Sequence, residues 1–402
     1  MTPSALPVSR RAIDVARRPE DELLLECVRN SLGQSDVVIL KQLLGSTGDW
    51  SYLIRSATRH QVLPLLHRAL AAAESAGATV PPTARIALQQ ELDTRITRNR
   101  QLAAELVRVV RLGGDAGLAL LPFKGAVLAC DIYGDLALRQ FADVDLLVDA
   151  SRGVDADAFL RSLGYEARHD FGWEAHFVKP QSGLCVDLHR GHLTPEDFPI
   201  PELFTRFWGR RATVRIGEHE VEAPCIDDLV IILCIQAARD AWQGKTRLGK
   251  ICDIAHVLNA GHRINWSRVQ SEARVLHVAR VVEFGLHLTR RVIDISLPTA
   301  VASRPKHGIA TLVAQDAIDL FRDPSARPSS VVQGHLFHFH LRERWSDKLR
   351  PYRRHWRSFT RPSRRDRETV PLPRTLSWAH YVLRPLLVLR RYGGYLLRGR
   401  LR

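Results

Sequence analysis

The stretch LPFKGAVLACDIYGDLALRQFADVDLLVDA, residues 121–150, decides the fold of this chain. An apolar run that ends at Phe123 and the segment VDLLV at 144–148 both predict short buried strands, and GAVLACDIYG between them predicts a helix. The stretch therefore predicts a small sheet with a helix packed against it.

Further strands are predicted downstream of this stretch. EAHFVKP and LCVDLH are strand-like segments joined through Gln181, Ser182 and Gly183, and ATVRIGEHEVE, within residues 211–222, turns at Gly217. Each of these regions predicts a β-hairpin. The segment DADAFLRSLG, which precedes the first hairpin, predicts a helix.

Helical periodicity dominates both sides of the predicted sheet. Apolar residues recur at helical spacing from Asp21 to about Gly113 and again after Pro224, and Gly113 and Gly114 are predicted to end the last helix before the sheet. We predict an α+β fold, with a small mixed sheet flanked by N- and C-terminal helical regions. The predicted divisions are a disordered N-terminus (1–18), a helical N-terminal domain (19–114), an α/β core (115–222), a helical domain (223–335) and a basic, arginine-rich tail (336–402).

The composition is typical of a soluble globular protein. Of the 402 residues, 45% are hydrophobic and 25% are charged, and no apolar run approaches the roughly 20 residues that span a bilayer. The N-terminus lacks the order of basic and apolar segments of a secretory signal, and the six cysteines form no CxxC pair. These features predict a cytoplasmic protein with reduced cysteines.

The net charge of +15 is concentrated at the C-terminal end. Residues 341–402 contain 18 Lys and Arg against 4 Asp and Glu, with Tyr352, Trp356 and Phe359 among the arginines. This mixture suits nucleic-acid phosphates and bases, or the face of an anionic membrane, and it is also typical of a solvated basic tail. All three interpretations stay open at the level of sequence.

Three aspartates predict a metal site. Asp143 and Asp145 are two residues apart in a predicted strand, where side chains i and i+2 share a face, and Asp187 lies in the strand-like LCVDLH. If the two strands are neighbours, the three carboxylates converge, and carboxylate oxygens are the ligands that Mg²⁺ prefers. Two ions held in this way activate an attacking hydroxyl and stabilise a leaving pyrophosphate.

Positively charged residues lie close to these acids in the sequence. Lys124 and Gly125 stand where the first strand gives way to a helix, so that glycine lets backbone N–H groups approach a phosphate and lysine supplies a charge. Arg139, four residues before Asp143, is a second candidate cation. Acids for Mg²⁺ beside cations for phosphates predict a site for a nucleoside triphosphate (NTP).

Residues 121–150 resemble the signature of a bacterial, uncharacterised nucleotidyltransferase-like family of the polymerase-beta-type superfamily: Lys-Gly, then Tyr-Gly, an Arg, and Asp-x-Asp-Leu-Leu-Val. The match continues through Leu-Gly-Tyr at 163–165 and Val-Asp-Leu-His at 186–189, and covers roughly residues 20–290. The resemblance implies a nucleotidyltransferase-type sheet and transfer of a nucleoside monophosphate from an NTP to a hydroxyl acceptor. It implies that Asp143 and Asp145 are paired metal ligands and that Asp187 is the third acid, which activates the hydroxyl.

The wider superfamily has Gly-Ser or Gly-Gly where this chain has Lys124 and Gly125. The departure leaves a second hypothesis open, a non-catalytic nucleotide-binding accessory protein. The basic tail supports a third hypothesis, binding of nucleic acid or of a membrane surface. His189, two residues after the third acid, is interpreted as a structural residue of the sheet.

Overall fold

The computed structural model describes residues 18–194, 200, 203–260, 263–322, 337–349, 378–381 and 383. Nearly all of the predicted disordered N-terminus and most of the arginine-rich tail lie outside these residues. The chain divides into two compact units, Met1–Leu341 and Arg342–Arg402, and in the described part of the second unit residues 345–349 are helical. The elements named below all belong to the first unit.

Helices make up most of the first unit, and none of the described helices is both long enough and apolar enough to cross a membrane. The helices are α1 (Pro19–Ser31), α2 (Val37–Ser46), α3 (Trp50–Arg59), α4 (Leu63–Ser75), α5 (Pro82–Asp115), α6 (Ala126–Asp131), α7 (Gly153–Ser162), α8 (Leu203–Trp208), α9 (Ile226–Trp242), α10 (Leu248–Asn259), α11 (Trp266–Val275), α12 (Ala279–Ile293) and α13 (His307–Asp319). The strands are β1 (Leu121–Pro122), β2 (Val144–Val148), β3 (Glu166–Asp170), β4 (Glu174–Lys179), β5 (Leu184–Arg190), β6 (Ala212–Ile216) and β7 (His219–Ala223).

Five strands form one mixed sheet in the order β1-β2-β5-β4-β3, while β6 and β7 form a separate antiparallel pair. Strands β2 and β5 are parallel, and all other neighbours in the sheet are antiparallel. The predicted strand at 144–148 and both predicted hairpins are confirmed. The sequence analysis did not predict β3, because its sequence EARHD is polar and mostly exposed at the edge of the sheet. The architecture is the α+β fold that the sequence predicts.

The two faces of the sheet contact different groups of helices. Val144, Leu146 and Val148 of β2 point into a cluster formed with α5 and α7. Leu147, on the opposite face, belongs to a second cluster to which helices α1–α4 and α9–α13 all contribute. The helices before and after the sheet therefore share one core, which lies on the same side of β2 as Asp145.

Helix α5 ends later than the sequence predicts. It continues through Gly113 and Gly114 to Asp115, and the chain reverses at Gly117, whose φ is +70°. A Cβ on Gly113 would lie 2.6 Å from Leu120 Cδ1, closer than packed carbon atoms approach. Gly113 therefore permits close packing of α5 on the segment that leads into β1, and does not end the helix.

Glu105 of α5 holds this helix against the sheet. Its carboxylate accepts hydrogen bonds from Tyr165 Oη at 2.6 Å, from two nitrogens of Arg108 at 2.7 and 2.8 Å, and from Lys179 Nζ at 3.2 Å. Burial by itself raises the pKa of Glu105, but Arg108, Tyr165 and Lys179 together lower this pKa to about 2. The ionised carboxylate therefore stabilises the folded chain.

We predict that Glu105→Gln lowers the free energy of unfolding at pH 6 by about 2–3 kcal/mol. Because the pKa falls on folding, this stabilisation is present above about pH 4.5 and is lost as the pH falls towards 2. Urea unfolding of both proteins between pH 6 and pH 3 measures the effect. The difference in free energy of unfolding between the native protein and the variant should become smaller below pH 4.5. A difference that does not change with pH would contradict the prediction.

Candidate active site

A row of polar side chains crosses three neighbouring strands on one face of the sheet. Asp145 of β2 is the register partner of Asp187 of β5, which in turn is opposite His176 of β4. Register partners on adjacent strands point to the same side. The neighbouring strands that the sequence analysis required for convergence of the acids are thus present.

Asp145 is buried and carries its own counter-ion. Lys124 Nζ donates a hydrogen bond to Asp145 Oδ1 at 2.7 Å, and both side chains are 6% exposed. Burial would raise the pKa of Asp145, but Lys124 and the nearby His189 ring hold it well below its usual range. The ammonium that the sequence predicts for a triphosphate is therefore in contact with a predicted metal ligand.

Asp143 lies immediately before β2 and is half-buried. It forms no hydrogen bond or ion pair with any other described residue. Burial, and then repulsion from Asp145 and Asp187, raises the pKa of Asp143 to about 6. Of the three acids, Asp143 is the one whose negative charge lacks a compensating contact.

Gly125 holds the Lys124 turn close to these acids. Its φ of +54° with ψ of −120° is a conformation that L side chains rarely adopt. An added Cβ would also lie 3.4 Å from the backbone oxygen of Asp143 and 3.4 Å from the Phe141 ring. The glycine therefore allows the close approach of this turn to the strand, although α6, which it precedes, has only six residues and a correspondingly small dipole.

Asp187 is paired with a histidine that the sequence analysis did not select. His176 Nδ1 lies 2.5 Å from Asp187 Oδ1, and the carboxylate is the acceptor. The only sequence signal for this contact is the predicted β4–β5 hairpin, whose register places residue 176 opposite residue 187. The hydrogen bond fixes the orientation of the Asp187 carboxylate.

His189 shares the face of Asp187 and is fully buried. Its ring lies between Phe123 and Trp173, at centroid distances of 5.1 and 5.9 Å. Neither ring nitrogen has a hydrogen-bond partner among the described residues, and Nε2 is 3.6 Å from Asp145 Oδ1. The ring therefore packs as a structural residue beside the Lys124–Asp145 pair.

Arg139, a predicted triphosphate cation, forms a buried ion pair with Asp253 of α10. Its Nε and Nη2 donate to the two carboxylate oxygens at 2.8 Å each, and Tyr133 Oη donates to the same carboxylate at 2.9 Å. Asn99 Nδ2 also donates to the backbone oxygen of Arg139 at 2.7 Å. The Nε/Nη2 edge of the guanidinium is occupied by Asp253. These contacts favour a positioning role, in which Arg139 anchors the loop before β2 to α10.

Lys250 is a cation that the sequence analysis missed. It lies on α10, three residues before Asp253, and is half-buried, and its ammonium group forms no hydrogen bond or ion pair with the described residues. Its charge favours the ionised forms of Asp143 and Asp145. Burial, followed by repulsion from Lys124, lowers the pKa of Lys250 itself. It stands far from the acids in sequence, within an ordinary amphipathic helix, so that nothing in the local pattern identifies it.

This face presents carboxylates, the ligands that Mg²⁺ prefers, but among the described residues they do not form a preformed metal site. Three carboxylates are grouped, and the raised pKa of Asp143 shows that positive charge beside it would be favourable. Within the described ranges, no three His, Cys, Asp or Glu side chains are arranged as a ready-made metal site. Lys124 and His176 lie against two of the three acids.

Comparison with known protein families gives a match. A family model described as an uncharacterised nucleotidyltransferase matches residues 46–294, which is more than half of the chain and includes every site residue described above. The chain belongs to this nucleotidyltransferase family, and its activity is that of a transferase. No curated protein matches the chain.

We predict that Arg139→Met lowers the free energy of unfolding by about 3–5 kcal/mol, because it leaves the Asp253 carboxylate buried without its cation. The double variant Arg139→Met/Asp253→Leu should recover at least half of this loss. Urea unfolding of the native protein and the three variants, including Asp253→Leu alone, measures the coupling. A loss below about 1 kcal/mol for Arg139→Met, combined with weaker NTP binding, would instead support a phosphate-binding arginine.

Proposed function

We propose that this protein transfers a nucleoside monophosphate from an NTP to a hydroxyl group of an acceptor, with release of pyrophosphate, and that the reaction depends on Mg²⁺. The observation that carries the proposal is the parallel register of Asp145 with Asp187, with Asp143 two residues before the former. Three carboxylates on one sheet face, beside lysines, suit a metal-bound triphosphate.

The three acids would hold the metal. The Asp143 carboxylate forms no hydrogen bond or ion pair with the described residues, and Asp145 and Asp187 each have one oxygen without such a partner among them. A bound divalent ion supplies Lewis-acid stabilisation of the charge on the phosphates during transfer. The protein itself contributes through rigid placement of the acids, which are fixed by the sheet register, by Lys124 and by His176.

Asp187 and His176 are suited to accept the proton of the acceptor hydroxyl. Exposure of the side chains rises along the row, from 6% for Asp145 to 17% for Asp187 and 33% for His176. The row is therefore most open to solvent on the β4 side, which is where we expect the acceptor to approach. The hydroxyl oxygen forms a bond to the α-phosphorus, its proton passes to the Asp187 carboxylate, and the bond to the β-phosphate oxygen breaks.

Lys250 is the cation we propose for the triphosphate, in place of Arg139. It acts electrostatically on both Asp143 and Asp145, and its ammonium group forms no hydrogen bond or ion pair with the described residues. The Gly125 backbone borders the same space through its approach to Asp143. A lysine in such a place binds phosphate as a point charge.

We predict that Asp145→Asn and Asp187→Asn each reduce label transfer from α-³²P-labelled NTP by about 10²–10³-fold, since each removes a charge that stabilises the transition state. The assay incubates purified protein with each labelled NTP, Mg²⁺ and a lysate of the source cells, and measures labelled acceptor. Glu166→Gln serves as the control, because this carboxylate is exposed on β3 of the same sheet. It should transfer label as the native protein does.

Two outcomes contradict the catalytic proposal. Equal label transfer by the native protein and by Asp145→Asn would show that the Asp145 carboxylate is not required for the reaction. Binding of NTP by the native protein with no label transfer and no pyrophosphate release in any lysate would favour the non-catalytic nucleotide-binding hypothesis.

We predict that Lys250→Met weakens NTP binding by about tenfold or more, which corresponds to the loss of one charge-assisted contact of about 1.4 kcal/mol. Isothermal titration calorimetry with NTP and Mg²⁺ measures the dissociation constants. Lys245→Met is the matched control, because Lys245 is an exposed lysine just before α10. Equal affinities for the native protein and both variants would exclude Lys250 from the triphosphate site.

A further inference from the structure

Asp145, the acid that lies between the other two, is already paired with a cationic side chain of the same protein. Asp145 is the acid that links the other two, because it is two residues from Asp143 and opposite Asp187 in the parallel register. Its Oδ1 atom contacts Lys124 Nζ at 2.7 Å and lies 3.6 Å from His189 Nε2. The other carboxylate oxygen, Oδ2, forms no hydrogen bond or ion pair with the described residues.

The Lys124 ammonium is held in this place by its surroundings. The side chain is 6% exposed and passes over the Phe123 ring, with Nζ 4.9 Å from the ring centroid. The backbone that carries it is fixed at Gly125, whose special conformation fits closely between the Phe141 ring and the backbone of Asp143. Withdrawing the ammonium would leave a buried carboxylate without a cation, which is strongly unfavourable.

A carboxylate that bridges two metal ions about 3.5–4 Å apart commonly places one of its oxygens on each ion. Asp145 is the acid placed to do so, yet one of its oxygens already accepts from an ammonium group. Lys124 delivers one positive charge where a second ion would otherwise bind Asp145.

We propose, on the basis of the function proposed above, that Lys124 is a built-in counter-ion that replaces one of the two metal ions, so that the acids hold a single divalent ion. Asp143, Asp145 and Asp187 would hold this ion through carboxylate oxygens that are not paired with Lys124 or His176. Lys124 is thus a positioning residue for Asp145, and Lys250 is the lysine left for the triphosphate.

Counting bound Mn²⁺ by electron paramagnetic resonance (EPR) tests this proposal without a measurement of activity. The full-length protein is titrated with Mn²⁺ in the presence of a non-hydrolysable analogue of the NTP that binds most tightly. The native complex should bind one Mn²⁺ with no magnetic coupling to a second ion. Lys124→Ser should bind two, with the coupling expected of ions less than about 4 Å apart. Lys245→Ser, at an exposed lysine, should stay at one.

Each result decides the proposal. Two magnetically coupled Mn²⁺ ions in the native complex would show that Lys124 leaves Asp145, and would overturn the proposal. Binding of only one Mn²⁺ by Lys124→Ser would overturn it as well. If Lys124→Ser does not fold, the native count still decides, and Lys124→Arg, which keeps a cation, should remain at one. If the native protein binds the analogue with two ions, only the counter-ion role of Lys124 is contradicted. If it binds neither the analogue nor Mn²⁺, the proposed function is contradicted as well.

Discussion

The parallel pairing of β2 with β5 is the constraint on which the site depends. This pairing brings Asp145 opposite Asp187, although the two residues are far apart in sequence. Like charges placed side by side on a sheet repel, so the arrangement requires compensating positive charge. Lys124 provides part of this charge, His176 donates a hydrogen bond to Asp187, and Asp143 is left with a raised pKa. The site is thus built at a cost in stability, as is typical of functional sites.

The surrounding helices make this arrangement rigid. The sheet face that carries the acids belongs to the side where helices from both ends of the first unit share a core. Arg139 and Tyr133 fix the loop before β2 to Asp253 of α10, and α10 also carries Lys250. We propose that the arginine and tyrosine of the sequence signature act indirectly, through the position of α10 relative to the acids.

Much of the fold could be predicted from the sequence because the decisive signals are local. The buried run at 144–148 and the two hairpins have clear apolar patterns and turn residues, and they occur as expected. Strand β3 has no apolar face, so alternation could not reveal it. Gly113 was misinterpreted as a helix end because its packing against Leu120 is a tertiary contact that no local pattern shows.

The site could be predicted only in part, because local sequence patterns do not show contacts between distant segments. The three acids could be selected from strand patterns and from the resemblance to a family, and the sheet brings Asp145 and Asp187 together. The partners of the cations could not be predicted: Lys124 with Asp145 and Arg139 with Asp253 are contacts between distant segments. Lys250 and His176 were missed because their significance comes from their neighbours in space.

The central claim is that the face formed by Asp143, Asp145 and Asp187 holds a divalent ion together with the phosphates of a nucleotide. A crystal structure of the protein with Mn²⁺ and a non-hydrolysable NTP analogue, with the metal located by its anomalous scattering, tests it most directly. The account predicts an anomalous peak within about 2.5 Å of oxygens of these three acids, with the triphosphate beside Lys250. A nucleotide bound elsewhere, or bound at this face with no metal among the acids, would contradict it.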